Sequence, residues 1–225
     1  MSLLTLFSAA AVLGAPPAAE LSNLTTHKGQ LVRRTIITSN GTGTATGYYY
    51  SVSGQVGSGL SMDVNYGQYH LSWSSASGNF IAGMGWMPGN AQTIYFDTEF
   101  KPSGNAYLSL YGWTTDPLVE YYICQAYGTY NPGTGLPHMG TLFSDHGTYD
   151  IYKTVRVNAS SILGTQTFNQ YWSVRQPGSV NDEVLTKSNH FNAWASLGMV
   201  LGTFDYQIIA TEGHQSNGST YIAVY

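Results

Sequence analysis

Charged residues are scarce in this chain of 225 residues, and cations are scarcer than anions. Asp and Glu together number 12 and Lys and Arg 8, so that only 9% of residues are charged and the net charge is −4. A negative balance without any lysine-rich segment provides no basic field for DNA or RNA, and we expect no nucleic-acid partner. An acidic residue inside an apolar or aromatic pattern therefore requires an explanation.

Cysteine is nearly absent, because Cys124 is the only one. A single cysteine excludes a disulfide within the chain. We expect Cys124 to be a small buried apolar residue, with a reactive thiol as the alternative. The six histidines show no metal-ligand spacing, and we expect neither a metal nor a cofactor.

Long apolar runs are also missing, and the N-terminal residues contain only a short apolar stretch. Residues 1–19 hold a short apolar stretch followed by small residues, which predicts a secretory signal peptide that is too short to span a membrane. Residues 20–34 end in Arg33-Arg34 and predict a propeptide, with an extension that stays attached as the alternative. We expect a secreted protein with one catalytic domain over residues 35–225.

Glycosylation sequons support the prediction of secretion from a eukaryote. The four sequons begin at Asn23, Asn40, Asn158 and Asn217.

Glycine and tyrosine are plentiful, with 26 and 18 residues, which suits short strands joined by tight turns. The predicted strands are 48–52, 69–74, 80–86, 92–98, 106–113, 118–126, 149–157, 167–174, 204–211 and 220–224. One segment, 190–199, instead spaces Phe191, Trp194 and Leu197 three apart and predicts a helix, capped by Ser188 or Asn189. The sequence therefore predicts an all-β fold of two stacked antiparallel sheets with one helix.

Two glutamates lie within tyrosine-rich strand patterns. Strand alternation places Glu120 on one face with Leu118 and Tyr122, and Glu212 on one face with Tyr206. A carboxylate on a partly dry aromatic face is costly unless it is paired or its pKa is tuned. Two such carboxylates are the minimal machinery for breaking a glycosidic bond.

The alternative for either glutamate is a buried ion pair, for which Arg156 is the plausible cation. Further strand faces combine aromatic and polar side chains, which suits a groove where sugar rings stack and their hydroxyls find partners. These faces are formed by Tyr107, Ser109, Tyr111 and Trp113, and by Phe168, Gln170 and Trp172.

These blocks together resemble a known family. The run 111–123 resembles the nucleophile block of glycoside hydrolase family 11, and 210–213 resembles its acid/base block. Other matching blocks follow in the family's order, at 78–80, 103–107, 147–152, 168–176 and 190–199. The resemblance covers roughly residues 45 to 225. It implies a β-jelly-roll with a thumb loop over an active-site cleft, and a monomeric endo-1,4-β-xylanase acting on xylan.

The resemblance also implies roles for single residues. Glu120 would be the nucleophile and Glu212 the acid/base of a retaining double displacement. Asn79 would hydrogen-bond the acid/base, which goes with a near-neutral working pH, although a plain turn residue is the alternative. The implied substrate-binding residues are Asn79, Tyr107, Tyr111, Trp113, Tyr122, Arg156, Gln170 and Tyr206.

Three positions depart from the family pattern. Val52 and Ser53 stand where the family has two aromatics, the second a Trp that stacks on a xylose. Ser160 replaces the usual thumb proline. His214 replaces a Tyr, and we expect a surface turn histidine there, with an influence on pH dependence as the alternative.

Two other functions stay open, the first of them because of Ser53 and Ser160. One is a xylan-binding protein with weak turnover on the same scaffold. The other is a related jelly-roll β-glucanase, which a groove too narrow for the C6 hydroxymethyl of glucose would exclude.

Overall fold

The structure, a computed structural model, describes residues 24–27, 30–177 and 184–225, and only the backbone of 24–27 and 30–33. The predicted signal peptide and residues 20–23, 28 and 29 of the predicted propeptide lie outside the described residues. The chain divides into two units, 1–34 and 35–225. In the first, β1 (Leu24–His27) pairs antiparallel with β2 (Gln30–Arg33). No helix among the described residues combines the length and apolarity that a membrane crossing requires.

The second unit contains thirteen strands and one α-helix among its described residues. The helix is α1 (Lys187–Ser196), and a 3₁₀ turn spans Ser75–Ser77. The strands are β3 (Thr35–Ile37), β4 (Gly41–Ala45), β5 (Tyr48–Gly54), β6 (Ser61–Asn65), β7 (Gln68–Trp73), β8 (Asn79–Trp86), β9 (Thr93–Thr115), β10 (Val119–Tyr127), β11 (His138–Ser144), β12 (Gly147–Ser161), β13 (Gly164–Arg175), β14 (Val184–Thr186) and β15 (Thr203–Val224).

Two long strands, β9 and β15, lie side by side and organise the whole unit. The first half of β15 pairs with β8, whereas its second half pairs with β7. A register shift between His214 and Asn217 separates the halves. Pairing therefore produces one layer ordered β11-β12-β13-β10-β9-β15-β8-β5-β4 and another ordered β14-β9-β15-β7-β6-β3. The predicted all-β jelly-roll with a single helix is confirmed.

One pairing differs from the predicted antiparallel sheets, because β10 and β13 are parallel, with Glu120 opposite Gln170. The strands β11, β12 and β13 form antiparallel pairs in succession. It follows that β11 runs in the same direction as β10. The loop over residues 128–137 must therefore carry the chain back across the sheet before β11 begins, a crossover that strand patterns do not reveal.

Strand alternation divides each central strand between a core and a cleft. In β10, Val119, Tyr121 and Ile123 are fully buried in the core between the layers. The alternate residues join a separate aromatic cluster, in which Tyr122 and Cys124 pack. Cys124 is buried as predicted, and burial raises the pKa of its thiol to about 12, so that it remains protonated at neutral pH.

The helix is shifted from its predicted position. It begins at Lys187 instead of His190 and is preceded by Thr186 instead of Ser188 or Asn189. Asp145 fixes this start, because its carboxylate accepts hydrogen bonds from the backbone N–H of Thr186 at 2.9 Å and from its hydroxyl at 2.7 Å. The helix ends at Ser196, ahead of Gly198, which has a φ of 71° in the left-handed region that glycine adopts easily.

Two predicted breaks between strands are wrong. The segments predicted at 92–98 and 106–113 form the single strand β9, and those at 204–211 and 220–224 form β15. Each long strand is paired along most of its length by the other, and this pairing overrides the local Gly, Ser and Asn signals. Sequence patterns also missed the short strands β3, β4, β6, β11 and β14.

Candidate active site

A cleft of about 1320 Å³ lies over the aromatic face of β9, β10, β13 and β15. Glu120 and Glu212 both line it. Six of the eight predicted substrate-binding residues also line it, namely Asn79, Tyr107, Tyr111, Tyr122, Arg156 and Gln170. The structure therefore brings most of the predicted site together on one surface.

Glu120 is held by three hydrogen-bond donors. The hydroxyls of Tyr111 and Tyr122 donate to its Oε1 at 2.9 and 3.1 Å. Nε2 of Gln170 donates to its Oε2 at 2.7 Å. Both carboxylate oxygens thus accept hydrogen bonds, which fixes the rotamer of Glu120 and presents an oriented carboxylate to the cleft.

Burial opposes the charge that these donors favour. Burial raises the pKa of Glu120 to about 7, and the nearby charge of Glu212 contributes in the same direction. The hydrogen bonds from Gln170, Tyr111 and Tyr122 lower it. Desolvation is the dominant effect, so Glu120 changes its charge close to neutral pH instead of in acid.

Trp172 was predicted on a groove-forming strand face but not among the substrate-binding residues, and it organises this wall of the cleft. Its indole stacks on Tyr122 with ring centroids 3.8 Å apart and planes 6° from parallel. Its Nε1 donates to Oε1 of Gln170 at 3.1 Å, which orients the Gln170 amide so that its nitrogen faces Glu120. The parallel pairing of β10 with β13 places Tyr122 beside Trp172.

Glu212 lies on β15 opposite Tyr107 of β9. Its side chain is 19% exposed, and its Oε2 is buried without a hydrogen-bond partner in the described part of the chain. The backbone is close-packed here, because a Cβ on Gly213 would lie 2.5 Å from the Phe80 ring. Glu212 is therefore held on a fixed strand, with one of its oxygens buried and without a hydrogen-bond partner among the described residues.

The predicted hydrogen bond from Asn79 to Glu212 is not formed among the described residues. Asn79 is exposed at the start of β8 and lines the cleft. The partner of Glu212 is His214, whose Nε2 lies 3.2 Å from Oε1 of Glu212. This contact is an ion pair when the imidazole is protonated.

The prediction that His214 occupies a surface turn is wrong. It lies within β15, and its side chain is 31% exposed. The sequence carried a usable signal, because residues 212 and 214 share one face of a strand. The predicted turn followed from the Gly213 between them, which is a strand residue here.

Trp113 and Tyr206 occupy a different place from the other predicted residues. Neither is among the residues that line the cleft, and they are only 3% and 7% exposed. The indole of Trp113 donates to the Tyr111 hydroxyl at 2.6 Å, and the Tyr206 ring packs edge-on against Tyr111 at 5.9 Å. In this structure both residues support Tyr111.

Arg156 does not neutralise the glutamates. It is exposed on the β12 side of the cleft, and in the described residues no ion pair joins it to Glu120 or Glu212. The alternative of a buried ion pair between Arg156 and either glutamate therefore has no support. Within the described ranges, no group of three or more His, Cys, Asp or Glu side chains is placed to hold a metal ion.

The thumb is the hairpin of β12 and β13, and it contributes residues 154–160 to the cleft. Its tip is closed by Ser161, whose hydroxyl donates to the carbonyl of Gly164 at 2.6 Å and accepts from the N–H of Leu163 at 3.0 Å. Ile162 packs against the aromatic cluster of the cleft. Across the cleft, Ser53 lines the wall where the family pattern has an indole.

Comparison with known proteins shows similarity over nearly the whole second unit. A family model of glycosyl hydrolases family 11 matches residues 45–223. The chain is 52% identical to endo-1,4-beta-xylanase B of Phanerodontia chrysosporium over 199 residues, which is 88% of this chain and 68% of that protein. It is 52% identical to endo-1,4-beta-xylanase B of Penicillium oxalicum over 191 residues, covering 84% of this chain and 61% of that protein.

A third relative matches over a longer span. The chain is 47% identical over 229 residues to the probable endo-1,4-beta-xylanase B of Aspergillus clavatus, covering 98% of this chain and 96% of that protein. The chain therefore spans about two thirds of the first two relatives and nearly all of the third.

Proposed function

The chain belongs to glycosyl hydrolases family 11 and is a glycoside hydrolase of the endo-1,4-beta-xylanase group, and we propose that it hydrolyses internal β-1,4 bonds of xylan with retention of configuration. The observation that carries this proposal is the pair of glutamates on one cleft, of which Glu120 is held by three hydrogen-bond donors. We further propose that it acts as a secreted monomer.

The arrangement supports a double displacement. The Glu120 carboxylate attacks the anomeric carbon, while Glu212 transfers its proton to the glycosidic oxygen. The bond between the anomeric carbon and the glycosidic oxygen breaks as the glycosyl ester with Glu120 forms. Water then attacks the glycosyl ester, Glu212 takes the proton of that water, and Glu120 is released as a carboxylate. Glu120 therefore has to be ionised at the start of the cycle and Glu212 protonated.

The aromatic cleft supports a sugar chain as the substrate. Tyr107, Tyr111, Tyr122 and Trp172 present rings and polar atoms along its floor, which suits stacking on sugar rings together with hydrogen bonding. Secretion is supported by the sequence of residues 1–34 and by the exposed sequon residues Asn40, Asn158 and Asn217.

The direct test uses the full chain expressed in a eukaryotic host and collected from the medium. We expect reducing-sugar release from xylan and none from carboxymethylcellulose, with the β anomer formed first in proton NMR spectra of the fresh products. Initial formation of the α anomer would overturn retention, and xylan binding without hydrolysis would support the binding-protein alternative. The N-terminal sequence of the same sample reports whether residues 1–19 or 1–34 are removed.

Gln170 is expected to set the acid limit of turnover. Its amide is the strongest of the hydrogen-bond donors that lower the pKa of Glu120, so replacing it with Met removes stabilisation of the carboxylate. We expect Gln170→Met to move the acid limb of kcat/KM to higher pH by on the order of one pH unit. The measurement is kcat/KM on xylo-oligosaccharides between pH 4 and 9.

The matched control is Gln166→Met, an exposed glutamine on the thumb strand β13. That variant is expected to keep the acid limb of the unmodified protein. Loss of kcat/KM in Gln170→Met at every pH, with the midpoint unmoved, would mean that Gln170 contacts the sugar and leaves the charge of Glu120 unaffected.

A further inference from the structure

The imidazole of His214 forms the side of the cleft next to Glu212. Both residues lie on the same face of β15, and both line the cleft. Nε2 of His214 lies 3.2 Å from Oε1 of Glu212, while Oε2 of Glu212 has no partner in the described chain. The two side chains are thus in direct contact, and no other ion pair within the described residues involves either of them.

The groups around the imidazole leave Glu212 as its electrostatic partner. Asn79 of β8 and Asn105 of β9 lie opposite His214 on the neighbouring strands, and neither carries charge. The ring of Tyr107, centred 5.2 Å from the imidazole, has its pKa raised to about 12 by burial and stays neutral. Contact with Glu212 raises the pKa of His214, against the effect of burial.

We propose that His214 is a positioning residue that shares one proton with Glu212 and thereby sets the alkaline limit of turnover. The proposal rests on the role of Glu212 as the acid/base. A proton held between the two side chains has two arrangements, one with a carboxylic acid beside a neutral imidazole and one with a carboxylate beside an imidazolium. Only the first arrangement has the proton on the group that faces the glycosidic oxygen.

The consequence concerns the fraction of active enzyme as pH rises. An imidazolium 3.2 Å from Glu212 favours the carboxylate, because opposite charges stabilise each other. The imidazolium therefore reduces the fraction of Glu212 that carries the proton which the leaving group needs.

The first test compares the unmodified protein with His214→Gln, which keeps a polar side chain but cannot carry charge. We expect the alkaline limb of kcat/KM on unactivated xylo-oligosaccharides to move to higher pH by about half a pH unit, since water partly screens the interaction of these partly exposed side chains. The dinitrophenolate of a dinitrophenyl β-xylobioside leaves without being protonated. The alkaline limb of kcat/KM on this substrate is therefore expected to be the same in both proteins. His70→Gln, at an exposed position on β7, is the control.

The second test measures the interaction between His214 and Glu212 directly and does not depend on catalysis. Proton NMR of the imidazole, assigned with His214→Gln, is expected to give a lower titration midpoint for His214 in Glu212→Gln than in the unmodified protein. The same midpoint in both proteins, or an unmoved alkaline limb in His214→Gln, would overturn the proposal. Absence of xylan hydrolysis by the unmodified protein would contradict the proposed function, and the NMR titration would still decide whether the two side chains share a proton.

Discussion

Glu120→Gln is expected to lower the rate of xylan hydrolysis by about a thousandfold or more. The amide keeps the shape of the side chain but cannot attack the anomeric carbon or form the glycosyl ester, so the covalent route is lost. Glu212→Gln is expected to cost between about a hundredfold and ten-thousandfold, the usual range for a general acid or base. Initial rates of reducing-sugar release measure both.

A substrate with a dinitrophenyl leaving group separates the two roles. This leaving group departs without a proton, so Glu212→Gln is expected to release a rapid burst of dinitrophenol and then stall at the glycosyl-enzyme. Glu120→Gln is expected to give no burst. Glu99→Gln, an exposed carboxylate paired with Lys101 on β9, is the matched control and is expected to keep full activity.

Identical kinetics of the two cleft variants would contradict the assigned roles. So would normal xylan hydrolysis by either. Both variants are isosteric, and thermal unfolding of each sample excludes loss of fold as the cause of an inactive result.

The second large effect concerns the contribution of His190 to stability in acid. His190 is fully buried in α1, and neither ring nitrogen has a hydrogen-bond partner within the described residues. Burial lowers its pKa to about 3, while Asp145 raises it slightly and Arg175 lowers it. The folded protein therefore holds this imidazole neutral through most of the acid range.

The sign of the effect follows from proton binding in the two states. An unfolded histidine binds a proton below pH ~6.5, whereas folded His190 does so only near pH 3. Between these values the unfolded state binds more protons, so the free energy of unfolding falls as pH falls, by about 1.4 kcal/mol per pH unit. From pH 7 to pH 4.5 the expected loss from this residue is about 3 kcal/mol.

His190→Phe removes the titrating group and keeps a ring of similar size against Tyr149, whose ring meets the imidazole edge-on at 4.6 Å. The difference to follow is the free energy of unfolding of the variant minus that of the unmodified protein. We expect this difference to increase by about 3 kcal/mol as the pH is lowered from 7 to 4.5. Urea unfolding at a series of pH values measures this difference. His70→Phe, at an exposed position, is expected to show little change, and a pH-independent difference for His190→Phe would refute the explanation.

The sequence predicted best where neighbours along one strand decide the outcome. The period of two on β10 placed Leu118, Glu120 and Tyr122 on one face, and all three belong to the cleft side. The same rule placed Tyr206 and Glu212 together. Most of the predicted site follows from these alternations, because a strand in a two-layer sheet has only two directions for its side chains.

Contacts between distant segments were not predictable from such patterns. The stack of Tyr122 on Trp172 and the bond from Gln170 to Glu120 both depend on the parallel pairing of β10 with β13. The start of α1 depends on Asp145, which lies 41 residues before Thr186. Each of these features is a contact between segments far apart in the sequence, which local secondary-structure propensity does not determine.

The central position of β15 also determines when the molecule can acquire its shape during synthesis. This strand lies between β9 on one side and β7 and β8 on the other, and it carries Glu212. Until Thr203–Val224 has left the ribosome, three blocks of earlier strands (β3-β6-β7, β4-β5-β8 and β9 with β10 to β14) have exposed edges and no strand to join them. Such late, long-range closure is slow and leaves edges open to aggregation, so chaperone supply during synthesis is expected to limit yield more strongly than the stability of the finished fold.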